Sequence, residues 1–281
     1  MPAISDPTSE KTVLVTGATS GIGLETVLAL GRLGAFVVVA ARDPVRGQSV
    51  VDQIERGGGR AELLTIDLAS FTSVREAARR FLAAHARLDV LVHNAGVALR
   101  RREVTADGHE RTWQTNFLSG FLLTRLLRPA LAAAPAARVV SVTSEAHRNG
   151  RIDWENLELE KGYGGFQAYS NTKLAQVLFT RELARRERRM FVNALHPGAI
   201  ATGIWRELPP WLRWLPKNFL PSPGWGAAPV IRLSSSPELD GVTARYFRRF
   251  REAEPSYAGR NDADATRLWQ VAEQATGAAK S

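Results

Sequence analysis

Tyr169 and Lys173 stand four residues apart in Tyr169-Ser170-Asn171-Thr172-Lys173, a spacing that puts both side chains on one face of a helix. A free phenol titrates near about pH 10 and is a poor base at neutrality. A neighbouring ammonium favours the phenolate and shifts that value down. Such a pair can exchange a proton with an alcohol or carbonyl oxygen, as general acid–base catalysis requires. The spacing is common by chance, so its weight comes from its companions. Ser144 ends the run Val142-Thr143-Ser144, a hydroxyl expected at the carboxyl edge of a sheet, where open α/β folds bind ligands. Asn116 lies in a helical stretch reaching the same edge, and His196-Pro197-Gly198-Ala199-Ile200-Ala201-Thr202 follows another strand-like run.

A second constellation lies near the N-terminus. The apolar run Thr12–Val15 leads into Thr16-Gly17-Ala18-Thr19-Ser20-Gly21-Ile22-Gly23, which opens a helical pattern. A pyrophosphate resting on the N–H groups and positive dipole of a helix start needs close backbone approach, and a Cβ would block it. The G-x-x-x-G-x-G spacing differs from the general G-x-G-x-x-G fingerprint. Where the second run ends, in Ala40-Ala41-Arg42-Asp43, an NAD site would place an acidic residue on the ribose 2′-hydroxyl. Ala41 takes that slot and Arg42 follows, a planar cation suited to a 2′-phosphate, so the expected cofactor is NADP(H). The competing reading pairs a solvent-facing Arg42 with Asp43. Asp67-Leu68 offers a carboxylate for an adenine amino group, and Asn94-Ala95-Gly96 offers small residues where backbone passes a cofactor; singly, each reads equally well as an ordinary turn.

Positioning these groups requires strands alternating with helices. Thr12–Val15, Phe36–Ala40, Leu63–Ile66, Val90–Val92, Val139–Val142 and Phe191–Leu195 are short, largely β-branched runs, the pattern of parallel strands buried on both faces. Between them Ile22–Leu33, Val74–Ala84, Phe117–Leu131 and Ala168–Ala184 show apolar spacing near helical period. The expected fold is α/β, a doubly wound parallel sheet of Rossmann type. Gly241–Phe247 reads as a last strand and Ala263–Gln274 as a last helix. Residues 1–10 read as a frayed lead-in and 11–281 as a single domain. Within it Ala201–Ala228, with Trp205, Trp211, Trp214 and Trp225 among five prolines, reads as an irregular C-terminal substrate lid. A subunit contact or membrane-surface patch is the other use for such a segment.

The motifs T-G-x-x-x-G-I-G, N-A-G, S…Y-x-x-x-K and P-G, in this order, resemble the short-chain dehydrogenase/reductase family. The match is strong over roughly residues 11–202. Ser-Glu-Ala-His at 144–147, Gly-Arg-Ile-Asp-Trp-Glu-Asn-Leu at 150–157 and Ala-Tyr-Ser-Asn-Thr-Lys-Leu-Ala at 168–175 are similar to its retinol-dehydrogenase-like branch. The resemblance implies Tyr169 as catalytic acid or base, with Lys173 lowering its pKa and holding the nicotinamide ribose. It implies Ser144 on the reacting oxygen, Asn116 anchoring a water that relays protons from Lys173, and Thr202 on the carboxamide or pyrophosphate. Hydride would pass directly between nicotinamide and substrate carbon, so no metal is expected. A lipophilic alcohol, aldehyde or ketone is the expected substrate. Dimers or tetramers are expected through the two long helices near residues 103–134 and 166–187. The competing function is a non-catalytic NADP(H)-binding sensor or interaction protein, disfavoured because Asn116, Ser144, Tyr169 and Lys173 are all present.

Composition narrows the rest. The 281 residues carry a formal charge of +9, and that excess is nearly all arginine spread along the chain. Arg100–Arg102, Arg185–Arg189 and Arg245–Arg251 read as solvated faces rather than a nucleic-acid surface. Cysteine is absent, which rules out disulfides and thiol chemistry. His85, His93, His109, His147 and His196 lack ligand spacing. Neither a signal peptide nor a membrane-spanning run is evident, so a cytoplasmic location is expected, with peripheral membrane contact as the remaining alternative.

Overall fold

The computed structural model describes residues 10–198 and 222–278. Its first half alternates β1 (Thr12–Thr16), α1 (Gly21–Arg32), β2 (Phe36–Ala41), α2 (Pro44–Arg56), β3 (Arg60–Thr65), α3 (Phe71–Ala84) and β4 (Val90–His93). Then come α4 (Arg111–Trp113), a π-helical turn (Gln114–Leu118), α5 (Ser119–Leu126), α6 (Arg128–Ala132), β5 (Arg138–Val142), α7 (Gly165–Arg186) and β6 (Phe191–His196). The described chain ends with α8 (Pro223–Ser235), β7 (Tyr246–Arg248), β8 (Arg251–Ala253) and α9 (Asp262–Thr276).

The strands form one sheet in the order β3-β2-β1-β4-β5-β6-β7-β8. All neighbours are parallel except β7 and β8. Alternate residues of β1 feed opposite layers: Val13 and Val15 pack with Ile22, Val27 and Leu30 of α1, whereas Leu14 joins Phe81 of α3 and Leu174 of α7. That two-sided burial is why the central strands read as continuous apolar runs. The order reverses between β2 and β4 on either side of β1, which opens a crevice at the carboxyl ends of the strands.

Several elements differ from expectation for local reasons. β3 begins three residues earlier than the apolar run, because it is an edge strand whose Arg60 is exposed. β7 is shorter than Gly241–Phe247, since Ala244 has a φ of 60°, off the extended path. The charged edge strand β8 carries no apolar signal. Helix α2 is set by Asp43, whose carboxylate accepts from the Val45 and Arg46 N–H groups at 3.0 and 3.1 Å; Asp43 is thus a helix cap. Phe117–Leu131 is not one helix: the π-helical turn takes its first two residues, and a new segment, α6, starts at Arg128 with Pro129 in its first turn. Of the expected lid, residues 201–221 and Thr202 fall outside the described residues. Its end is regular, for Trp225 lies on the first turn of α8.

The last helix is amphipathic and docks on α5 and α7. Trp269, 2% exposed, meets Phe121 edge-on at 4.8 Å between ring centroids and stacks on Phe179 at 6.0 Å and 16°. The Arg186 guanidinium lies 4.5 Å from its ring centroid on α7's side. The helix pair expected to hold a second copy therefore carries α9 on this face.

Candidate active site

The turn from β1 to α1 is locked by the loop after β4. Thr16 Oγ1 accepts from the Asn94 and Ala95 N–H groups at 3.1 and 3.2 Å. The Asn94 side-chain amide donates to the Thr16 and Gly17 carbonyls at 3.0 and 3.2 Å. Gly17 has a φ of 67°, and a Cβ there would lie 2.8 Å from Ala95 Cα. A Cβ on Gly23 would meet Gly17 O at 2.3 Å and Asn94 Nδ2 at 2.4 Å. The first demand for these glycines is thus the interlock of two protein loops, where the sequence suggested a ligand's approach. Ile22 is turned into the core. Ser20, the residue capping α1, makes no side-chain capping bond, so its hydroxyl does not occupy the helix start. An anion fits there, on N–H groups aligned with the dipole.

Around that turn stand the other expected cofactor residues. Arg42 is exposed and joins no ion pair among the described residues, since Asp43 is committed to capping α2. Arg46, which the sequence reading missed, donates from Nη2 to Thr19 O at 3.4 Å, bringing a second guanidinium to the glycine turn. Its signal was position alone: one helical turn past Arg42. Asp67 accepts from the Ala69 N–H at 2.9 Å through Oδ1, and Leu68 O accepts from Ser119 Oγ at 2.6 Å. Gly96 faces Lys173 and Asn116, 3.7 Å from Lys173 Nζ and 3.6 Å from Asn116 Oδ1 when measured from an ideal Cβ. Pro197 and Gly198 follow β6, with the Trp225 ring against Gly198.

Ser144, Tyr169 and Lys173 converge at the carboxyl end of β5. Ser144 directly follows Thr143, whose Oγ1 accepts from the Ser144 N–H and lies 3.3 Å from Lys173 O, tying strand to helix. The Ser144 hydroxyl hydrogen-bonds the Tyr169 phenol, and this contact lowers the phenol's pKa. Burial works in the opposite direction and dominates: Tyr169 keeps part of its surface open, yet dense packing pushes it up to about 12. Lys173 is 3% exposed, and burial pushes it down to about 7. Its Nζ stands 5.4 Å from the Tyr169 ring centroid. The net shift of Tyr169 is therefore upward, with burial the larger cause and the Ser144 hydrogen bond opposing it.

Asn116 lies inside the π-helical turn. Its side chain is spent on the loop beside it: Oδ1 accepts from the Val97 N–H at 2.8 Å, and Nδ2 donates to Val97 O at 2.9 Å and Thr172 Oγ1 at 3.1 Å. Its main-chain carbonyl accepts from Gln176 Nε2 at 2.7 Å. The same Gln176 accepts from Lys173 Nζ at 2.9 Å, and Lys173 also donates to Val142 O at 2.9 Å. The Gln176 amide thus bridges the Asn116 carbonyl and the Lys173 ammonium. Gln176 escaped sequence reading because glutamine three residues after a lysine is unremarkable on any helix.

These strands, the glycine turn and the Ser–Tyr–Lys cluster define a dinucleotide-type α/β protein, and a short chain dehydrogenase family model matches residues 11–213. The chain belongs to the short-chain dehydrogenase family. It is 42% identical to mouse (Mus musculus) polyprenol dehydrogenase, over 99% of this chain and 87% of that protein. It is 37% identical to human (Homo sapiens) retinol dehydrogenase 14, over 96% of this chain and 87% of the relative. Among solved structures, an uncharacterized protein from Mycobacterium Paratuberculosis shares 32% identity at a TM-score of 0.80, covering 98% of this chain and 96% of its own. A chain from Beutenbergia cavernae, described as an NAD(P) dependent gluconate 5-dehydrogenase and solved with bound NADP at low occupancy, shares 28% identity. Its TM-score is 0.71, over 86% of this chain and 96% of its own. Among the described residues, no helix is long and apolar enough to cross a membrane.

Proposed function

We propose that this chain is an NADP(H)-dependent oxidoreductase that interconverts a lipophilic alcohol with its aldehyde or ketone, using Tyr169 as acid or base. The observation that carries this reading is the convergence of Ser144, Tyr169 and Lys173 at the carboxyl edge of β5, beside the glycine turn. A lipophilic substrate is supported by relatives named for polyprenol and retinol. NADP(H) is supported by the nucleotide in the Beutenbergia cavernae chain and by Arg42 and Arg46 at the turn.

The residues that would hold the nucleotide are the turn Gly17, Thr19, Ser20, Gly21, Ile22 and Gly23, with Arg42 and Arg46, Asp67 and Leu68, Asn94 to Gly96, Lys173, and Pro197 with Gly198. When bound, NADPH supplies a hydride to the carbonyl carbon, and NADP+ takes one back from the alcohol. Tyr169 Oη gives its proton to the carbonyl oxygen, and the ammonium of Lys173 offsets the phenolate charge left behind. Ser144 Oγ donates to the same oxygen and keeps it aligned. In the oxidative direction the phenolate takes the proton.

Fluorescence titration with NADPH and NADH, followed by NADPH oxidation against a panel of lipophilic aldehydes and ketones, tests the reading. Tight NADPH binding with turnover is expected; failure to bind either nucleotide overturns it. Arg42→Ala and Arg46→Ala are each expected to weaken NADPH binding by about tenfold, the usual size of one charge-assisted contact, and NADH binding by less than about twofold. An unchanged ratio of the two affinities would remove both arginines from cofactor selection.

A further inference from the structure

On the reading of Tyr169 and Lys173 as the proton-handling pair, a third side chain of α7 takes part in their work. Gln176 is 4% exposed and lies one helical turn beyond Lys173. Its amide bridges the Asn116 carbonyl and the Lys173 ammonium, at 2.7 and 2.9 Å. The orientation is fixed by chemistry. An ammonium only donates and a carbonyl only accepts, so Oε1 must face Lys173 and Nε2 must face Asn116. The flipped amide would set donor against donor and acceptor against acceptor.

We propose that Gln176 is a positioning residue that holds the Lys173 ammonium in place by bridging it to the Asn116 carbonyl. Two of the three N–H donors of Lys173 are engaged, by Val142 O and Gln176 Oε1, and the third remains for the open side near Gly96. The anchor is firm at both ends. Asn116 belongs to the π-helical turn, and its side chain is pinned to Val97 and Thr172.

The bridge also bears on charge. Burial alone moves Lys173 from its ordinary value, and no carboxylate pairs with it among the described residues. Tyr169 on its own helix is the titratable group facing it; from β5, the loop at Gly96 and the π-helical turn come only neutral groups, Val142 O, Thr143 and Asn116. Gln176 Oε1 is thus one of the two acceptors that hold the ammonium. Removing that acceptor lowers the Lys173 pKa further, and replacing it with a carboxylate raises it.

The test is a titration of Lys173 by carbon NMR of lysine-labelled protein, in parent, Gln176→Leu and Gln176→Glu chains. Five lysines are present, and Lys173→Met assigns the signal. Gln176→Leu is expected to move the Lys173 midpoint down by about one pH unit, and Gln176→Glu to move it up. Carbonyl reduction, which needs the ammonium, should lose its high-pH limb at correspondingly lower pH in Gln176→Leu and higher pH in Gln176→Glu. A role confined to packing would lower the melting temperature and leave both midpoints in place. A folded Gln176→Leu or Gln176→Glu chain with parental midpoints overturns the proposal; should the leucine variant fail to fold, the near-isosteric glutamate variant decides alone. Because the NMR midpoint needs no turnover, a lysine that shifts as expected in a protein inactive on every carbonyl would sink the oxidoreductase reading and spare this one.

Discussion

Tyr169→Phe should abolish carbonyl reduction, by a factor of roughly a hundred to ten thousand, the range that one positioned acid–base group contributes. NADPH binding should stay within about twofold, because the phenol ring and its place above Lys173 are kept. The substitution removes a single oxygen. That oxygen hydrogen-bonds Ser144 and carries the exchangeable proton. The resting phenol is held up to about 12 by burial, so it is protonated at neutrality and ready to give its proton in the reductive direction. Oxidation needs the phenolate and should speed up as pH rises. Single-turnover NADPH oxidation in parent and variant separates the hydride step from nucleotide binding. A variant that retains parental turnover would remove Tyr169 from the chemistry.

Trp269→Ala should destabilise the fold by about 3–5 kcal/mol, the cost of emptying a buried aromatic site. Trp269 is 2% exposed and is the point where α9 meets Phe121 of α5 and Phe179 of α7. Arg186 and Arg125 also lie against its ring, at 4.5 and 5.6 Å. Leu268 and Ala272 complete the same buried stripe. Neighbouring rings are stiff and cannot collapse into the gap, so the loss should fall near the upper end. A conservative Trp269→Phe keeps most of the area and should cost far less. Chemical denaturation monitored by circular dichroism reads both; an alanine variant as stable as the parent would show that α9 adds nothing to the fold.

The parts of this molecule that were legible in its sequence are those where burial repeats a pattern. Val37, Val38 and Val39 are buried whichever layer they face, so β2 showed itself as an unbroken run. Edge strands face solvent on one side, which is why β3 was placed late and β8 went unseen. One break in the helical stretch before β5 is a backbone feature: nothing in Gln114-Thr115-Asn116-Phe117-Leu118 announces a π-helical turn, and only the hydrogen bonds reveal it. The reactive groups were found because their types are chemically rare in combination. Their supports were not. Gln176 and Arg46 are ordinary residues made notable by what they touch, Asn116 O and Thr19 O, and touching is a property of the folded chain. Electrostatics followed the same division. That Tyr169 and Lys173 are neighbours was readable, but the sign of the net shift depended on how deeply the fold buries them.

The docking of α9 has a consequence for association. A helix tethered to its own receptor surface competes there at an effective concentration of about a millimolar, without the rotational and translational loss a free molecule must meet. Another molecule at micromolar concentration would face roughly a thousandfold handicap before making its first contact with α5 and α7. Shortening the chain ahead of Trp269 would lift that handicap and bare Phe121 and Phe179 together, turning an intramolecular seal into a sticky surface whose behaviour depends on dilution.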